Sequence, residues 1–353
     1  ATENGVVMLD WVDGVEQALA HPEWLLACER EAHDILRAGI RHLIWAGMGG
    51  SVQTVYVLKR LGFLDTPGLH IYPCDSTDPA SLNRILREIA ANEAGSAEGS
   101  VTRSLLERTM MIGVSMGMTS EEPITHLEWF EGILRESQIT DLESHIQVMT
   151  LPGSYLDNFA RPRGCTMVPI QLDGRVGTGG RFSAPATRVF VRPVCLRLMA
   201  DALQREPDFS PDGSLLRAVL ERTQEFYGLS HQLDETGRRE LVLRNPFVRL
   251  GALVVGRERA GLNQVALVVP PHWSGLAPWL EQLVEESLGK SGKGFVVFYG
   301  NQPWSRLETD PLMIDLAPVP FAVEESEGTR VMMRLPPAQT VVEQLGQLGG
   351  LFA

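Results

Sequence analysis

Short apolar segments alternate with amphipathic helical patterns along the first 150 residues, and this alternation constrains the fold more than any other feature. The apolar runs predict strands at 42–46, 69–73, 109–115 and 146–150. The helical patterns lie at 15–38, 51–61, 79–90 and 121–136. Strands that alternate with helices pair in parallel and carry helices on both faces of the sheet. The first part of the chain is therefore predicted to be an α/β unit.

The rest of the chain predicts a second unit of the same kind. Residues 184–259 are mainly helical in pattern. They precede apolar strands at 264–269 and 295–299, with a helix at 277–287 between them. A chain of 353 residues is long enough for two ordinary domains. We place the first domain at 1–160, and the helical connection with the second domain at 161–353.

Composition is typical of globular proteins and excludes some partners. Hydrophobic residues make up 44% of the chain and charged residues 21%. The net charge of −13 argues against a nucleic-acid partner. No apolar run approaches a membrane span, and the first residues lack a secretory signal, so we expect a cytoplasmic protein without membrane contact. The four cysteines are widely spaced, which favours buried thiols over disulfides or metal ligands.

A glycine-rich turn, Gly47-Met-Gly-Gly-Ser51, leaves the first predicted strand and opens a helix. Such a turn exposes backbone N–H groups at the positive end of the helix dipole, an arrangement that suits a phosphate. Ser51 falls where a helix cap or a phosphate-binding hydroxyl would lie. The turn is neither G-x-G-x-x-G nor a Walker loop, so it gives little support to an NAD or ATP site.

A second unusual segment lies at the end of the helix predicted at 277–287. Glu285 and Glu286 occupy its last turn, where the helix dipole favours cations by roughly 0.3–1 kcal/mol. A local rule broken without a structural gain marks a candidate functional site. The alternative is a solvated acidic helix end whose compensating charges are Lys290 and Lys293.

Five short segments together resemble the sugar isomerase (SIS) domain and, more closely, the glucose-6-phosphate isomerase family. Their order and spacing make a chance match improbable, and the resemblance extends over roughly residues 40–300. A sixth segment resembles the isomerase half of bacterial transaldolase/isomerase fusions. The five are Gly47–Ser51, Asp75-Ser-Thr-Asp-Pro79, Val114-Ser-Met-Gly-Met-Thr-Ser-Glu-Glu-Pro123, Gly179-Gly-Arg-Phe-Ser183 and Gln282-Leu-Val-Glu-Glu-Ser-Leu-Gly-Lys290, and the sixth is Arg244-Asn-Pro-Phe-Val-Arg-Leu-Gly-Ala252.

The resemblance implies two SIS-type three-layer α/β/α sandwiches and an aldose–ketose isomerase acting on glucose 6-phosphate and fructose 6-phosphate. It assigns proton transfer between C1 and C2 to Glu286 and stabilisation of the enediolate to Arg181. It implies no cofactor, no metal, and a homodimer as the assembly. The implied substrate-binding residues are Gly49, Gly50, Ser51, Ser115, Thr119, Ser120 and Gly180.

The chain departs from the family pattern at several places. The family phosphate loop reads Ser-Lys-Ser/Thr-x-Thr-Thr, whereas here Met116 replaces the lysine and Gly117 replaces a hydroxyl. Each lost hydrogen bond to a charged group costs ~1.5–3 kcal/mol. The family's ring-opening histidine and C-terminal lysine have no counterpart in this chain.

These departures leave two alternatives to a working isomerase. One is a catalytically impaired sugar-phosphate-binding or regulatory module, and the other is the isomerase-like part of a larger fused protein.

The helical middle carries an apolar stripe that is compatible with each of these alternatives. We expect that stripe, which includes Leu215, Leu216, Val219 and Leu220, to face either a second subunit or the core.

Overall fold

The computed structural model describes residues 2–3, 6–7, 13–94, 101–117, 119–174, 184–228, 233–288, 294–300, 311–317, 323–326 and 330–353. Its strands are β1 (Thr2–Glu3), β2 (Val6–Val7), β3 (His42–Gly47), β4 (Asp65–Thr66), β5 (Leu69–Cys74), β6 (Thr109–Val114), β7 (Ile146–Met149), β8 (Thr166–Val168), β9 (Gln264–Val268), β10 (Val296–Tyr299), β11 (Leu312–Ala317), β12 (Val323–Ser326) and β13 (Arg330–Arg334). Its α-helices are α1 (Gly14–Ala20), α2 (Pro22–Arg37), α3 (Gly50–Arg60), α4 (Pro79–Ala94), α5 (Arg103–Leu106), α6 (Glu122–Glu136), α7 (Tyr155–Ala160), α8 (Arg188–Arg205), α9 (Ser214–Tyr227), α10 (Glu235–Arg244), α11 (Pro246–Arg259), α12 (Leu276–Glu281) and α13 (Val341–Phe352).

The first sheet has the strand order β4-β5-β3-β6-β7-β8. Its pairs are parallel except for β4, which lies antiparallel at one edge. Every residue of β3 and β6 is buried, because a parallel sheet is covered by helices on both faces and its strands are apolar without alternation. The four strands and the α/β class predicted for this part of the chain are confirmed.

The long helix predicted at 15–38 is two helices, so this prediction was wrong. Helix α1 ends at Ala20 and α2 begins at Pro22, with His21 between them. A proline has no N–H to donate, and its ring clashes with the carbonyl four residues earlier. The first position of a new helix has neither problem. The apolar periodicity continues through this break, which is why the pattern alone suggests one helix.

The second sheet has the strand order β10-β9-β11-β13-β12. Strands β9, β10, β11 and β13 are parallel, and β12 is antiparallel at the edge. The strands predicted at 264–269 and 295–299 are confirmed as β9 and β10. Strands β11, β12 and β13 were not predicted, since their sequences carry charges that hide a strand pattern, such as Asp315 within β11.

The chain forms two compact units. One comprises residues 1–223 together with 348–353, and the other comprises residues 224–347. The first unit extends beyond the predicted boundary at residue 160, because β8 pairs with β7 and α8 packs on α2 and α3. The last turn of α13 belongs to this unit as well. Its Phe352 packs edge-on against Phe190 of α8, with ring centroids 5.8 Å apart.

The helical middle predicted at 184–259 is confirmed by helices α8 to α11. Leu216, Val219 and Leu220 on α9 are fully buried within the chain, and Leu215 is half-buried. The stripe was expected to face either a second subunit or the core, and in the structure it faces the core. A surface between subunits must therefore use other residues.

A buried carboxylate holds the beginning of α9. Glu29 of α2 is completely buried, and its two oxygens accept hydrogen bonds from separate backbone N–H groups. Gly213 N donates to Oε2 at 2.8 Å and Leu216 N donates to Oε1 at 2.9 Å. The first N–H groups of a helix have no partner within the helix. Glu29 therefore supplies two of the acceptors that α9 needs.

All four cysteines are buried and unpaired, as predicted. Among the described residues, no group of His, Cys, Asp and Glu side chains is placed to hold a metal ion. The helices of the described part are too short or too polar to cross a membrane.

Candidate functional site

Four adjacent strands of the first sheet, β5, β3, β6 and β7, have their carboxyl ends side by side. We call this end of the sheet its carboxyl edge. Ala46 of β3 pairs with Cys74 of β5, and Gly47 pairs with Val114 of β6. Val114 in turn pairs with Met149 of β7. The segments that follow these residues therefore start side by side. In open parallel sheets, ligands bind at this edge.

The turn after β3 brings a glycine-rich backbone to the centre of this edge. Gly49 has φ 51° and ψ −132°, a conformation that side chains rarely allow. The amides of Gly49 and Gly50 donate to no acceptor among the described residues, as expected at the first turn of a helix. Trp45 of β3 holds the turn in place, because its Nε1 donates to the carbonyl oxygen of Ser51 at 2.9 Å.

Ser51 lies beside the end of β6. A Cβ atom at Gly47 would lie 3.2 Å from both Ser51 Cβ and the carbonyl oxygen of Val114. A side chain at position 47 would thus be tight against both segments, and its neighbours would have to shift by a few tenths of an ångström. This close approach places the buried Ser51 next to the segment that starts at Ser115.

The segment after β6 folds back on itself through its hydroxyl groups. Ser115 Oγ donates to Ser120 Oγ at 2.9 Å and accepts from the amide of Gly117 at 3.2 Å. Ser115 is buried, Ser120 is half-buried and Thr119 is exposed. The structure therefore brings together Ser51, Ser115 and Ser120 at neighbouring strand ends, and Thr119 lies in the same loop. Met118, between them, is outside the described residues.

Met116, in the segment after β6, reaches the glycine turn after β3. Its side chain is 45% exposed. A Cβ atom at Gly50 would lie 3.3 Å from its Cε atom, so the methyl group covers the first residue of α3. The residue that takes the place of a lysine thus makes an apolar contact beside the free amides and stays accessible to solvent.

A polar pair not assigned a role by the sequence analysis lies beside the glycine turn. Asp75 directly follows β5, and the Tyr56 hydroxyl of α3 donates to its Oδ1 at 2.7 Å. Burial and the nearby Asp75 carboxylate raise the pKa of Tyr56, which keeps this donor protonated. The position of Asp75 at the end of a predicted parallel strand was the signal that could have found it.

The segment that carries Glu286 is helical, as predicted, but its second half is a π-helix. Helix α12 ends at Glu281, and residues Gln282–Leu288 form the π-helical continuation. Such segments are rare and are frequently found at functional sites. Glu285 accepts a hydrogen bond from Val297 N at 2.7 Å and so ties this segment to β10. Gly180 and Arg181 lie outside the described residues, as does the side chain of Glu286, so the roles predicted for these three residues stay predictions.

One histidine has a clear structural role. His42 at the start of β3 is buried, with Nδ1 3.0 Å from the Tyr72 hydroxyl and Nε2 3.0 Å from Glu93 Oε1. Burial lowers its pKa, although the Glu93 carboxylate opposes this effect. His42 therefore links β3 to β5 and to the end of α4, at the edge of the sheet opposite the glycine turn.

The α/β fold with two mainly parallel sheets is shared with other solved structures. Two solved structures share it over almost the whole chain. A hypothetical protein of Thermus thermophilus matches with a TM-score of 0.60 at 18% identity, over 98% of this chain and 75% of that protein. A glucose-6-phosphate isomerase of Chlamydia trachomatis matches with a TM-score of 0.61 at 15% identity, over 95% of this chain and 68% of the other. At these identities the likeness concerns the fold alone.

A comparison of sequences identifies relatives that share a higher identity with this chain than these structures do. Glucose-6-phosphate isomerases of Synechococcus sp. (strain JA-3-3Ab) and of Nostoc sp. (strain PCC 7120) are 29% and 27% identical to this chain over 252 and 251 residues. Each match covers 70% of this chain and 40% of the relative, so the chain spans about two fifths of their length. No protein family model matches the chain. The resemblance to glucose-6-phosphate isomerases is confirmed, while the likeness to fused proteins stays a prediction.

Proposed function

We propose that this chain is a phosphosugar aldose–ketose isomerase that interconverts glucose 6-phosphate and fructose 6-phosphate. One observation carries the proposal: the hydroxyls of Ser51, Ser115 and Ser120 lie at the ends of neighbouring strands, beside the free amides of Gly49 and Gly50. Hydroxyls and amides at a helix start suit a phosphate ester. The similarity to glucose-6-phosphate isomerases supports the choice of sugar.

In the proposed reaction, the phosphate is held by neutral donors while the open-chain sugar loses a proton from C2. The Glu286 carboxylate takes this proton and returns it to C1, so that one group acts as base and then as acid, while the O2 hydroxyl proton passes to O1. Negative charge develops on the enediolate oxygens. The guanidinium of Arg181 stabilises it through fixed hydrogen bonds.

A coupled assay on the purified protein, converting fructose 6-phosphate to glucose 6-phosphate, tests the proposal directly. Sulfate is expected to inhibit competitively, because it occupies the phosphate position. Ser51→Ala and Ser120→Ala should each raise KM about tenfold or more, the cost of one hydrogen bond to a charged group. Ser104→Ala, at an exposed position of α5, is the control and should leave KM unchanged. Sulfate inhibition that is equally strong in the parent, in Ser51→Ala and in Ser120→Ala would contradict this phosphate position.

A second function is favoured by Met116. Its methyl group covers Gly50, and the donors of the 115–120 loop are neutral groups, so a phosphate dianion gains less here than it would beside a lysine. The chain would then be a sugar-phosphate-binding module without turnover. Titration calorimetry with glucose 6-phosphate, run beside the coupled assay, separates the two functions. Binding with no turnover would select the module.

We propose a homodimer as the assembly, with α10 and α11 at the interface. Val242 and Leu243 on α10 and Val255 on α11 are exposed apolar residues. None of the residues of α10 is buried, and on α11 only Pro246 is. Apolar surface of this kind on a helix pair is typical of an interaction site. A two-fold dimer is the commonest soluble oligomer, and an obligate interface exceeds roughly 2,000 Å².

Sedimentation velocity at micromolar concentration is expected to show a dimer. Leu243→Asp should shift the protein toward the monomer, because it places a charge in the apolar patch. Leu243→Met keeps the patch apolar and is the control. A parent protein that sediments as a monomer and still isomerises would rule out the dimer as part of the active form.

A further inference from the structure

The motif Asp75-Ser-Thr-Asp-Pro79 has a defined place at the carboxyl edge of the first sheet. Because Ala46 of β3 pairs with Cys74 of β5, Asp75 starts beside Gly47 and the glycine turn. The next strand on the other side, β6, leads into Ser115. Asp75 and Ser115 are thus separated by two strand spacings, about 10 Å.

The carboxylate of Asp75 is fixed in position and only partly used. The Tyr56 hydroxyl donates to Oδ1 at 2.7 Å from α3, the helix that begins at the glycine turn. Asp75 is half-buried, so it remains open to solvent. A carboxylate offers about four acceptor positions on its two oxygens. Tyr56 takes one of them and leaves the others for a ligand.

The other acid of the motif has a different task. Asp78 Oδ1 accepts from the amide of Ala80 at 2.9 Å, at the start of α4, and the Asp78 amide donates to Ser76 Oγ at 3.2 Å. These bonds hold the loop between β5 and α4 in one shape. The buried ring of His126 lies beside the Ser76 backbone. Asp75 is therefore mounted on a fixed loop, whereas Asp78 is a helix cap.

The chemistry of Asp75 defines which end of a ligand it can bind. A carboxylate repels a phosphate placed next to it and accepts hydrogen bonds from hydroxyl groups. We propose that Asp75, positioned by Tyr56, binds a hydroxyl of the sugar while the phosphate lies toward Ser115 and Ser120. This inference rests on the proposed function. The site then takes polyhydroxylated phosphate esters and orients them along the edge from β6 to β5.

The test compares a sugar phosphate with a small phosphate ester that lacks the sugar and its hydroxyl groups. Glucose 6-phosphate and methyl phosphate are titrated by calorimetry into the parent protein and into Asp75→Asn, Asp75→Ala and Tyr56→Phe. Asp75→Ala is expected to weaken glucose 6-phosphate binding by about tenfold or more, the value for a hydrogen bond to a charged group. Asp75→Asn keeps an acceptor for Tyr56 and should cost less, and Tyr56→Phe should resemble it. Methyl phosphate should bind all four proteins equally.

Asp78→Asn is the matched control from the same motif, and it should bind both esters as the parent does. An Asp75 variant that binds both esters like the parent overturns the inference, and so does one that loses both equally. If the parent binds glucose 6-phosphate but does not isomerise it, the isomerase proposal fails and the role of Asp75 is still decided by these titrations. A parent that binds neither ester refutes both.

Discussion

Replacing Glu286 with glutamine is expected to lower kcat by about 10²–10⁴-fold while the affinity for the sugar phosphate stays near that of the parent. The size follows from the usual contribution of a general acid–base group. Glutamine has nearly the shape of glutamate but cannot carry the proton between C2 and C1. Steady-state kinetics gives kcat, and calorimetry with glucose 6-phosphate gives the affinity.

Glu285→Gln is the control for this experiment. Its carboxylate accepts from Val297 N and so joins the π-helical segment to β10. A glutamine amide oxygen can accept the same bond, so both activity and stability should remain near the parent values. Equal activity of Glu286→Gln and the parent would remove Glu286 from the mechanism. Equal losses in the two variants would indicate damage to the segment instead of to a proton carrier.

Glu29→Ala is expected to lower the free energy of unfolding by about 2–6 kcal/mol, the cost of two buried groups that lose their acceptors. The substitution leaves the N–H groups of Gly213 and Leu216 buried without their acceptors, and each unsatisfied group carries a desolvation cost of about 1–3 kcal/mol. Urea denaturation of the purified protein measures the effect as a lower midpoint. Thermal denaturation should show a lower Tm.

Two substitutions calibrate this prediction. Glu29→Gln keeps one acceptor oxygen and places an NH₂ group against the other N–H, so an intermediate loss is expected. Glu128→Ala makes the same change at an exposed position of α6 and should stay within about 0.5 kcal/mol of the parent. A Glu29→Ala protein as stable as Glu128→Ala would show that water replaces the carboxylate at α9.

The parallel core of the first unit could be predicted because its strands are buried on both faces. Their residues are mostly apolar, and a glycine or a polar residue lies at or directly after the end of β3, β5, β6 and β7. The adjacency of Gly47 and Val114 could not be predicted in this way, because β6 pairs with β3 and not with β5, which precedes it in the chain. The strands β11 to β13 could not be found in this way, since Asp315 and the glutamates of β12 interrupt the pattern.

Two features of the site depend on distances that a sequence does not carry. The contact of Met116 with Gly50 requires the spacing between the β3 and β6 turns. The bond between Tyr56 and Asp75 joins residues 19 positions apart, on a helix and at a strand end. The first unit extends beyond the predicted boundary at residue 160 for a similar reason. The packing of α8 on α2 and α3 joins segments far apart in the chain and leaves no local signal in the sequence.

The last turn of α13 bears on how the chain folds during synthesis. Phe352 packs on Phe190, and a Cβ atom at Gly349 would clash with Thr223 Oγ1, so these residues fill space between helices of the first unit. Translation delivers residues 1–223 long before residues 348–353. The core of the first unit therefore stays incomplete during synthesis until residues 348–353 have emerged and can fill this space.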